Sequence, residues 1–252
     1  MNEKLRLAVD FLLNSKHTTA FTGAGISVES GIPPFRGENG LWNKYNPEFL
    51  EIGFFYKNPL DSWKVIKEIF YDFFGKARPN KAHEILGVFE KEGLVSAVIT
   101  QNIDNLHREA GSATVYEFHG NSHTLVCTKC GLKYGIEGIN LDILPPVCKK
   151  CNGLLKPDFI FFGEGIPPLA YSKSMDEAEL ADVFLVIGTT GEVMPACMIP
   201  DIAKQRGAKI IEINPEPSAF TYNITDIFLK GKAGEVMEKL YDLLKEVQNI
   251  TH

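Results

Sequence analysis

The sequence predicts an α/β protein: a parallel sheet covered by helices on both faces, with a smaller module inserted into it. Three observations carry this expectation. Short β-branched or aromatic runs alternate with segments of helical spacing over most of the chain. The alternation breaks between about Thr124 and Leu155, where paired cysteines crowd together with Gly131, Gly135, Gly138, Pro145, Pro146 and Gly153. A composition of 44% hydrophobic and 23% charged over 252 residues is that of a globular chain and excludes fibrous, collagen-like and wholly disordered classes.

Leu5, Ala8, Val9, Leu12 and Leu13 share one helix face, so the chain opens with a helix. His17–Phe21 then reads as a buried strand running into Gly23-Ala24-Gly25 and a following helix. Pro33–Asn46 is dense in turn formers and is expected to be a long loop. Trp63, Ile66, Ile69, Phe70, Phe73 and Phe74 lie on helical spacing and read as the core of a helical module ending near Gly75 and Pro79. Beyond it the pattern gives helix Ala82–Lys91, strand Val95–Thr100, helix Asn105–Ala110 and strand Val115–Phe118. After the cysteine region come strand Asp182–Ile187, helix Ala196–Arg206, strand Ala208–Ile213, strand Ile227–Leu229 and helix Gly234–Gln248.

Charge and cysteine usage narrow the function classes. With 26 Lys+Arg against 32 Asp+Glu the net charge is −6, which argues against broad nucleic-acid binding because that interaction depends on phosphate neutralisation. No apolar run reaches the ~18 residues of a membrane span, and Met1–Asp10 lacks the apolar block of a signal peptide, so a cytoplasmic location is expected. Four of the five cysteines form two Cys-x-x-Cys pairs, a metal pattern and not a disulfide scaffold.

Cys127, Cys130, Cys148 and Cys151 can place four thiolates in a tetrahedron, with Gly131 and Gly153 letting the chain turn around the ion. Zinc fits best and iron uses the same ligand types. Four protein ligands close the shell, so the metal is expected to be structural. Thr22-Gly23-Ala24-Gly25-Ile26-Ser27 can bring backbone N–H groups to a pyrophosphate, although Val28 stands where the dinucleotide fingerprint has its third glycine. A ligand-free tight turn explains that segment equally well. Gln101-Asn102-Ile103-Asp104 follows a strand, where polar groups line the crevice of an open sheet, but a helix cap is an equal reading. His119-Gly120, also at a strand end, offers a general base, a hydrogen-bonded core histidine or an accessory metal ligand beside Cys127. Gly188-Thr189-Thr190 and Asn214 complete the set of small polar residues at strand ends.

Taken in order with Ser30-Gly31-Ile32-Pro33, Phe35-Arg36-Gly37 and Phe162-Gly163-Glu164, these motifs make the chain resemble the sirtuin family of NAD-dependent protein deacylases from about Thr19 to Ala233. The resemblance implies a Rossmann-like NAD-binding domain over 1–42, 81–123 and 156–252, and a small domain made of the 43–80 helical and 124–155 zinc-binding modules. It implies NAD contacts at Gly23, Ala24, Gly25, Gly188, Thr189, Thr190, Asn214 and Ala233, with Phe35 and Arg36 on the loop covering the cofactor. Gln101, Asn102, Ile103 and Asp104 match the nicotinamide pocket, His119 the general base, and Asn102 a second catalytic group.

The same likeness puts an acyl-lysine peptide between Ile160, Phe161, Phe162, Gly163 and Glu192, Val193, held by backbone pairing. Glu164 and Glu192 would favour basic flanks. Expected products are free lysine, nicotinamide and O-acyl-ADP-ribose, with no membrane or nucleic-acid partner. The alternatives are NAD-dependent ADP-ribosyl transfer, and a zinc-ribbon binding protein in which Lys129, Lys133, Lys149, Lys150 and Lys156 supply local positive charge. Three departures stand out. Pro34 replaces the usual Asp before Phe-Arg, Gly191 replaces the usual Leu and is expected to loosen the cleft, and Ile66 and Ile69 stand near the position of the Tyr-x-x-Arg pair that binds acidic acyl groups. Acetyl or longer aliphatic acyl groups are therefore expected.

Overall fold

The computed structural model describes residues 2–35 and 40–250. Six strands form a fully parallel sheet: β1 (Thr18–Thr22), β2 (Ala97–Thr100), β3 (Val115–Glu117), and, after a smaller sheet, β7 (Val183–Ile187), β8 (Lys209–Asn214) and β9 (Ile227–Lys230). Their order in space is β3-β2-β1-β7-β8-β9. Thr19 pairs with Ala97 on one side of β1 and with Phe184 on the other. The smaller sheet is antiparallel, in the order β5-β4-β6, with β4 at Gly120–Cys127, β5 at Lys133–Gly135 and β6 at Leu155–Phe159. Its strands continue on both sides of the 124–155 stretch in which the composition changes.

Helices α1 (Asn2–Asn14), α4 (Lys81–Lys91) and α8 (Ala233–Ile250) cover one face of the large sheet, while α6 (Pro168–Leu180) and α7 (Met198–Gln205) cover the other. Between α1 and α4 lie α2 (Ile52–Lys57) and α3 (Pro59–Ile66), and a short α5 (Leu106–Glu109) follows β2. β7 shows why its sequence is a continuous apolar run. Val183, Leu185 and Ile187 enter the core under α1, α4 and α8, whereas Phe184 and Val186 enter the core under α6 and α7. A third core joins Phe55, Trp63, Ile66 and Phe70 of the helical module to Cys127, Cys148, Leu155 and Phe159, and the Trp63 indole N–H donates to Leu155 O at 2.9 Å.

Several expectations are corrected. The segment after Gly23 is a 3-10 helix over Ala24–Ser30 and not an α-helix; it stops at Gly31, whose φ is 89°. The aromatic module does not continue as one α-helix: Lys67–Phe73 widens into a π-helix. That change of winding leaves Phe73 55% exposed while Ile69, Phe70 and Phe74 stay buried. The helix α6 was not expected at all, because its buried positions include Ser174, Glu177 and Ala178 and so carry no apolar stripe. Among the described residues, no helix is long and apolar enough to cross a membrane.

Candidate functional site

In a parallel sheet all carboxyl ends lie at one edge, and here Gly23, Gln101, Gly188 and Asn214 follow or end β1, β2, β7 and β8 there. The chain leaves β1 for β2 and β3 on one side and returns through β7 to β9 on the other, so the ends of β1 and β7 flank a topological switch point. Gly25 N–H donates to Gly188 O at 2.8 Å, and a Cβ on Gly25 would lie 2.7 Å from Gly188 Cα. The two turns touch backbone to backbone, an approach that a side chain at Gly25 would block, and together they form a glycine-lined cradle.

Around this cradle the polar residues are joined in sequence. Gln101 Nε2 donates to Thr189 Oγ1 at 3.1 Å, and Asn214 Nδ2 donates to Thr189 O at 2.9 Å. Asn102, 7% exposed, donates through Nδ2 to Gly23 O at 3.1 Å and to Ser27 Oγ at 3.2 Å. Both amide protons are thereby committed and its Oδ1 is left as acceptor. Ser27 in turn donates to Asp104 Oδ2 at 2.7 Å. Burial raises the Asp104 pKa above the usual aspartate value, against the opposing hydrogen bonds from Ser27 and the Leu106 N–H.

His119 Nδ1 lies 3.0 Å from Gln101 O. A carbonyl can only accept, so Nδ1 carries the proton and Nε2 keeps its lone pair. Burial pushes the His119 pKa below the usual histidine value, and the bond to Gln101 O opposes that shift. The ring is therefore neutral at neutral pH, the form a general base needs.

Behind the site, Asn80 N–H donates to His83 Nδ1 at 3.3 Å, and His83 Nε2 faces Ser27 Oγ at 3.4 Å. His107 Nε2 lies 2.9 Å from Thr22 Oγ1, which donates to Thr100 Oγ1 at 2.8 Å. Spacing in the sequence singles out neither histidine, and although Ser27 falls in the Thr22–Ser27 motif, nothing there shows that it links Asn102 to Asp104. A lone acid inside a buried strand was the readable signal for a further residue, Glu212: its carboxylate accepts from Asn214 Nδ2 at 3.0 Å and from the hydroxyls of Thr221 and Thr225 at 2.8 Å and 2.7 Å.

The remaining predicted residues divide. Phe35, Trp42 and Phe162 form a chain of rings, with centroids 5.3 Å and 6.1 Å apart. Arg36 lies outside the described residues. Leu41 N–H donates to Pro34 O and Trp42 N–H to Phe35 O, at 2.9 Å and 3.1 Å. Ile103 O accepts from the backbone and hydroxyl of Ser122 at 3.0 Å and 2.7 Å. Phe162, Gly163 and Glu192 are exposed, Ile160 and Val193 are half-buried, and the Phe161 ring is core. Phe162 N–H and O are paired with Leu50 and Ile52. Ala24 is half-exposed in the cradle, and Thr190 Oγ1 lies 3.4 Å from Glu192 Oε2. Ala233 stands apart at the first turn of α8, where Glu29 accepts the Gly234 N–H at 2.6 Å.

Gly191 is not a loosened position. Its φ is 74°, and a Cβ there would lie 2.7 Å from the ring of Phe220, which is itself 3% exposed. Glu164 is no steering charge either, since it pairs with Lys156 Nζ at 2.9 Å. Lys156 is buried and so adds nothing to the surface charge of the cysteine module.

The Sγ atoms of Cys127, Cys130, Cys148 and Cys151 all lie within 4.8 Å of one another, with Cys127 to Cys151 at 3.5 Å and Cys130 to Cys148 at 3.7 Å. A zinc ion bound at about 2.3 Å by four thiolates needs sulfur separations of about 3.8 Å, so this donor set fits it. Tyr134 lies against the set, its hydroxyl 3.1 Å from Cys148 Sγ. The second knuckle differs from expectation: Asn152, with φ 54°, makes the turn. Gly153 serves instead to admit sulfur, because a Cβ there would lie 2.8 Å from Cys127 Sγ.

A parallel sheet with a switch point between β1 and β7, polar donors and acceptors gathered at its strand ends, and a separate four-thiolate set together define a dinucleotide-using α/β protein with a structural metal site. Comparison with known proteins makes this specific. The model of the Sir2 family matches residues 23–195. The chain is 45% identical to NAD-dependent protein deacylase 2 of Pyrobaculum aerophilum, covering 94% of each chain. It is 46% identical to the NAD-dependent protein deacylase of Pyrococcus furiosus over 94% of this chain and 96% of the relative. A solved complex of a Sir2 homologue with NAD superposes with a TM-score of 0.88 at 42% identity, over 96% of this chain and 94% of the other. A Sir2 complex with a p53 peptide and NAD+ gives 0.88 at 34% identity, over 95% and 98%. The chain belongs to the Sir2 family.

Proposed function

We infer that the chain is an NAD-dependent protein lysine deacylase, acting on acetyl and longer aliphatic acyl groups and releasing nicotinamide and O-acyl-ADP-ribose. The observation that carries this is His119 at the carboxyl end of β3, beside Gln101 at the end of β2, with Nδ1 spent on Gln101 O and Nε2 left to take a proton. Bound NAD supplies the glycosidic bond whose cleavage frees nicotinamide and opens the ribose carbon to the acyl oxygen. The cradle of Gly23, Ala24, Gly25, Gly188, Thr189 and Thr190 would hold its diphosphate and ribose, with Asn214 and Ala233 toward the adenosine. Gln101, Asn102, Ile103 and Asp104 would receive the carboxamide, and Asn102 Oδ1 would orient a hydroxyl or water at the reacting end. Phe35, in its ring stack with Trp42, would exclude water, and Arg36, next in the chain, would contact the cofactor. His119 Nε2 would deprotonate a ribose hydroxyl.

The substrate peptide would lie along Ile160, Phe161, Phe162 and Gly163 on one side and Glu192 and Val193 on the other. That cleft lies between the NAD-binding part (1–42, 81–123 and 156–252) and the smaller part (43–80 and 124–155). Ile66 and Ile69 are 0% and 2% exposed, so no cation stands at those positions to receive an acidic acyl chain. The four cysteines would hold zinc without touching the reaction. A cytoplasmic setting, which keeps thiols reduced, and the absence of a nucleic-acid partner belong to the same reading.

The test is mass spectrometry of acetyl-, longer fatty-acyl- and succinyl-lysine peptides with and without NAD. Loss of acetyl or fatty acyl with O-acyl-ADP-ribose, abolished in His119→Ala, is the expected result, with succinyl turnover far slower. Protein ADP-ribosylation without acyl-dependent nicotinamide release would refute it.

A further inference from the structure

The backbone that leaves β6 runs through Phe159, Ile160, Phe161, Phe162 and Gly163 to Glu164, and one buried cation holds it. Lys156 has a side chain only 7% exposed. Its Nζ donates to Pro157 O at 3.0 Å and Phe159 O at 2.7 Å, and pairs with Glu164 Oε2 at 2.9 Å. The ammonium also sits 4.2 Å from the centroid of the Phe161 ring. An ammonium carries three protons, and these three oxygens take them all, so Lys156 has none left for a ligand.

Glu164 passes the constraint on. Its Oε2 accepts the Phe161 N–H at 2.8 Å, while its own N–H donates to Phe161 O at 3.0 Å. The two bonds close a turn around Phe162 and Gly163, where Gly163 has φ 90°. The start of the segment is tied to the base, because Ile160 N–H donates to His119 O at 2.9 Å. One ion pair thus fixes both ends of a short segment that touches His119 at one end and presents Phe162, 48% exposed, at the other.

Two apolar side chains of similar volume would fill this space without the cost of burying charge. They would leave the Phe159 and Pro157 carbonyls and the Phe161 N–H without these partners. Charged hydrogen bonds are short and directional, so the pair holds a geometry that packing alone would not.

We propose that Lys156 and Glu164 are positioning residues for the acyl-lysine peptide: the ion pair of buried Lys156 with half-buried Glu164 fixes the turn that presents Phe162 and Gly163 to the substrate. This rests on the deacylase reading and on the substrate path given above. Neither residue meets the reacting atoms, so their removal should weaken peptide use and leave NAD use intact.

The experiment is steady-state deacetylation of an acetyl-lysine peptide by the full chain and by Glu164→Gln, Lys156→Met and Lys156→Arg. Peptide and NAD are varied in turn, and zinc content is measured for each protein. The expected result for Glu164→Gln is a peptide KM about tenfold higher, the ratio that about 1.4 kcal/mol represents, with NAD KM and zinc content unchanged. Lys156→Met should exceed that effect, and Lys156→Arg should restore most of the peptide KM, because a guanidinium still pairs with Glu164. If Lys156→Met does not fold, the other two variants carry the test. Peptide KM unchanged in Glu164→Gln, or peptide and NAD KM rising together, would overturn the proposal while leaving the deacylase reading intact. A wild-type chain without NAD-dependent turnover would overturn that reading and the proposal with it.

Discussion

His83 and His107 make the stability of this fold depend on pH in a direction that can be worked out. Their rings meet edge to face at 4.9 Å between centroids, behind Ser27 and Thr22. Burial lowers the His83 pKa from 6.5 to about 4, against a smaller opposing effect of Glu84, and burial with the neighbouring His83 pushes His107 well below the usual value. Both groups therefore bind protons more weakly folded than unfolded. The stability they contribute is complete above the unfolded value of 6.5 and is lost as pH falls from there through the folded value.

For His83 the window from 6.5 to about 4 is worth about 3 kcal/mol, at about 1.4 kcal/mol for each step of one in pH. Against a typical stability of about 5–15 kcal/mol that is a large share. Urea unfolding of the wild type and of His83→Gln, from neutral pH down to about 4, reads it directly. Glutamine can accept from the Asn80 N–H and donate to Ser27, so the folded contacts persist while the titration disappears. Acid release of zinc affects both proteins and cancels in the difference. The wild type should lose about 3 kcal/mol more than the variant over that range. Stability profiles that run parallel would refute the assignment of a buried neutral His83.

Two further expectations follow from the site and the metal module. Because His119 acts as a base and burial lowers its pKa, the acid limb of the kcat/KM profile should inflect below the free-histidine value of 6.5; an inflection above it would place the proton elsewhere. Gly153→Ala should lower both zinc content and thermal stability, since its Cβ would sit 2.8 Å from Cys127 Sγ; a variant that retains full zinc after purification would show that the knuckle yields instead.

The large sheet was legible because β1, β2, β7 and β8 are buried on both faces and so read as short apolar runs bounded by turn formers. Its strands begin or end within two residues of the expected limits; β2, for example, starts at Ala97 where Val95 was expected. What periodicity did not reveal was structure whose buried faces are polar. The strand β4 starts Gly-Asn-Ser-His-Thr, with Ser122 buried and His123 and Thr124 half-buried, and β6 buries Lys156. The fold joins Gly23, Asn102 and Asp104 through Ser27 and gathers Cys127 with the other three thiols, yet spacing carries no information on which partner takes which proton. Lys156 and Glu164 show the limit most clearly: both were read as surface charge, and the fold uses them on each other.

Gly191 and Phe220 behave as one unit although the chain separates them widely. The ring occupies the space a side chain at 191 would enter, and the backbone at 191 has turned to φ 74°, where leucine is strained. Converting Gly191 to the leucine usual in the family therefore fails as a single exchange, and shrinking Phe220 first opens a void in the core under α6 and α7. Either order of substitution passes through a damaged intermediate. Anyone recombining segments between this chain and its relatives must carry both positions across together, or the hybrid inherits a collision or a hole.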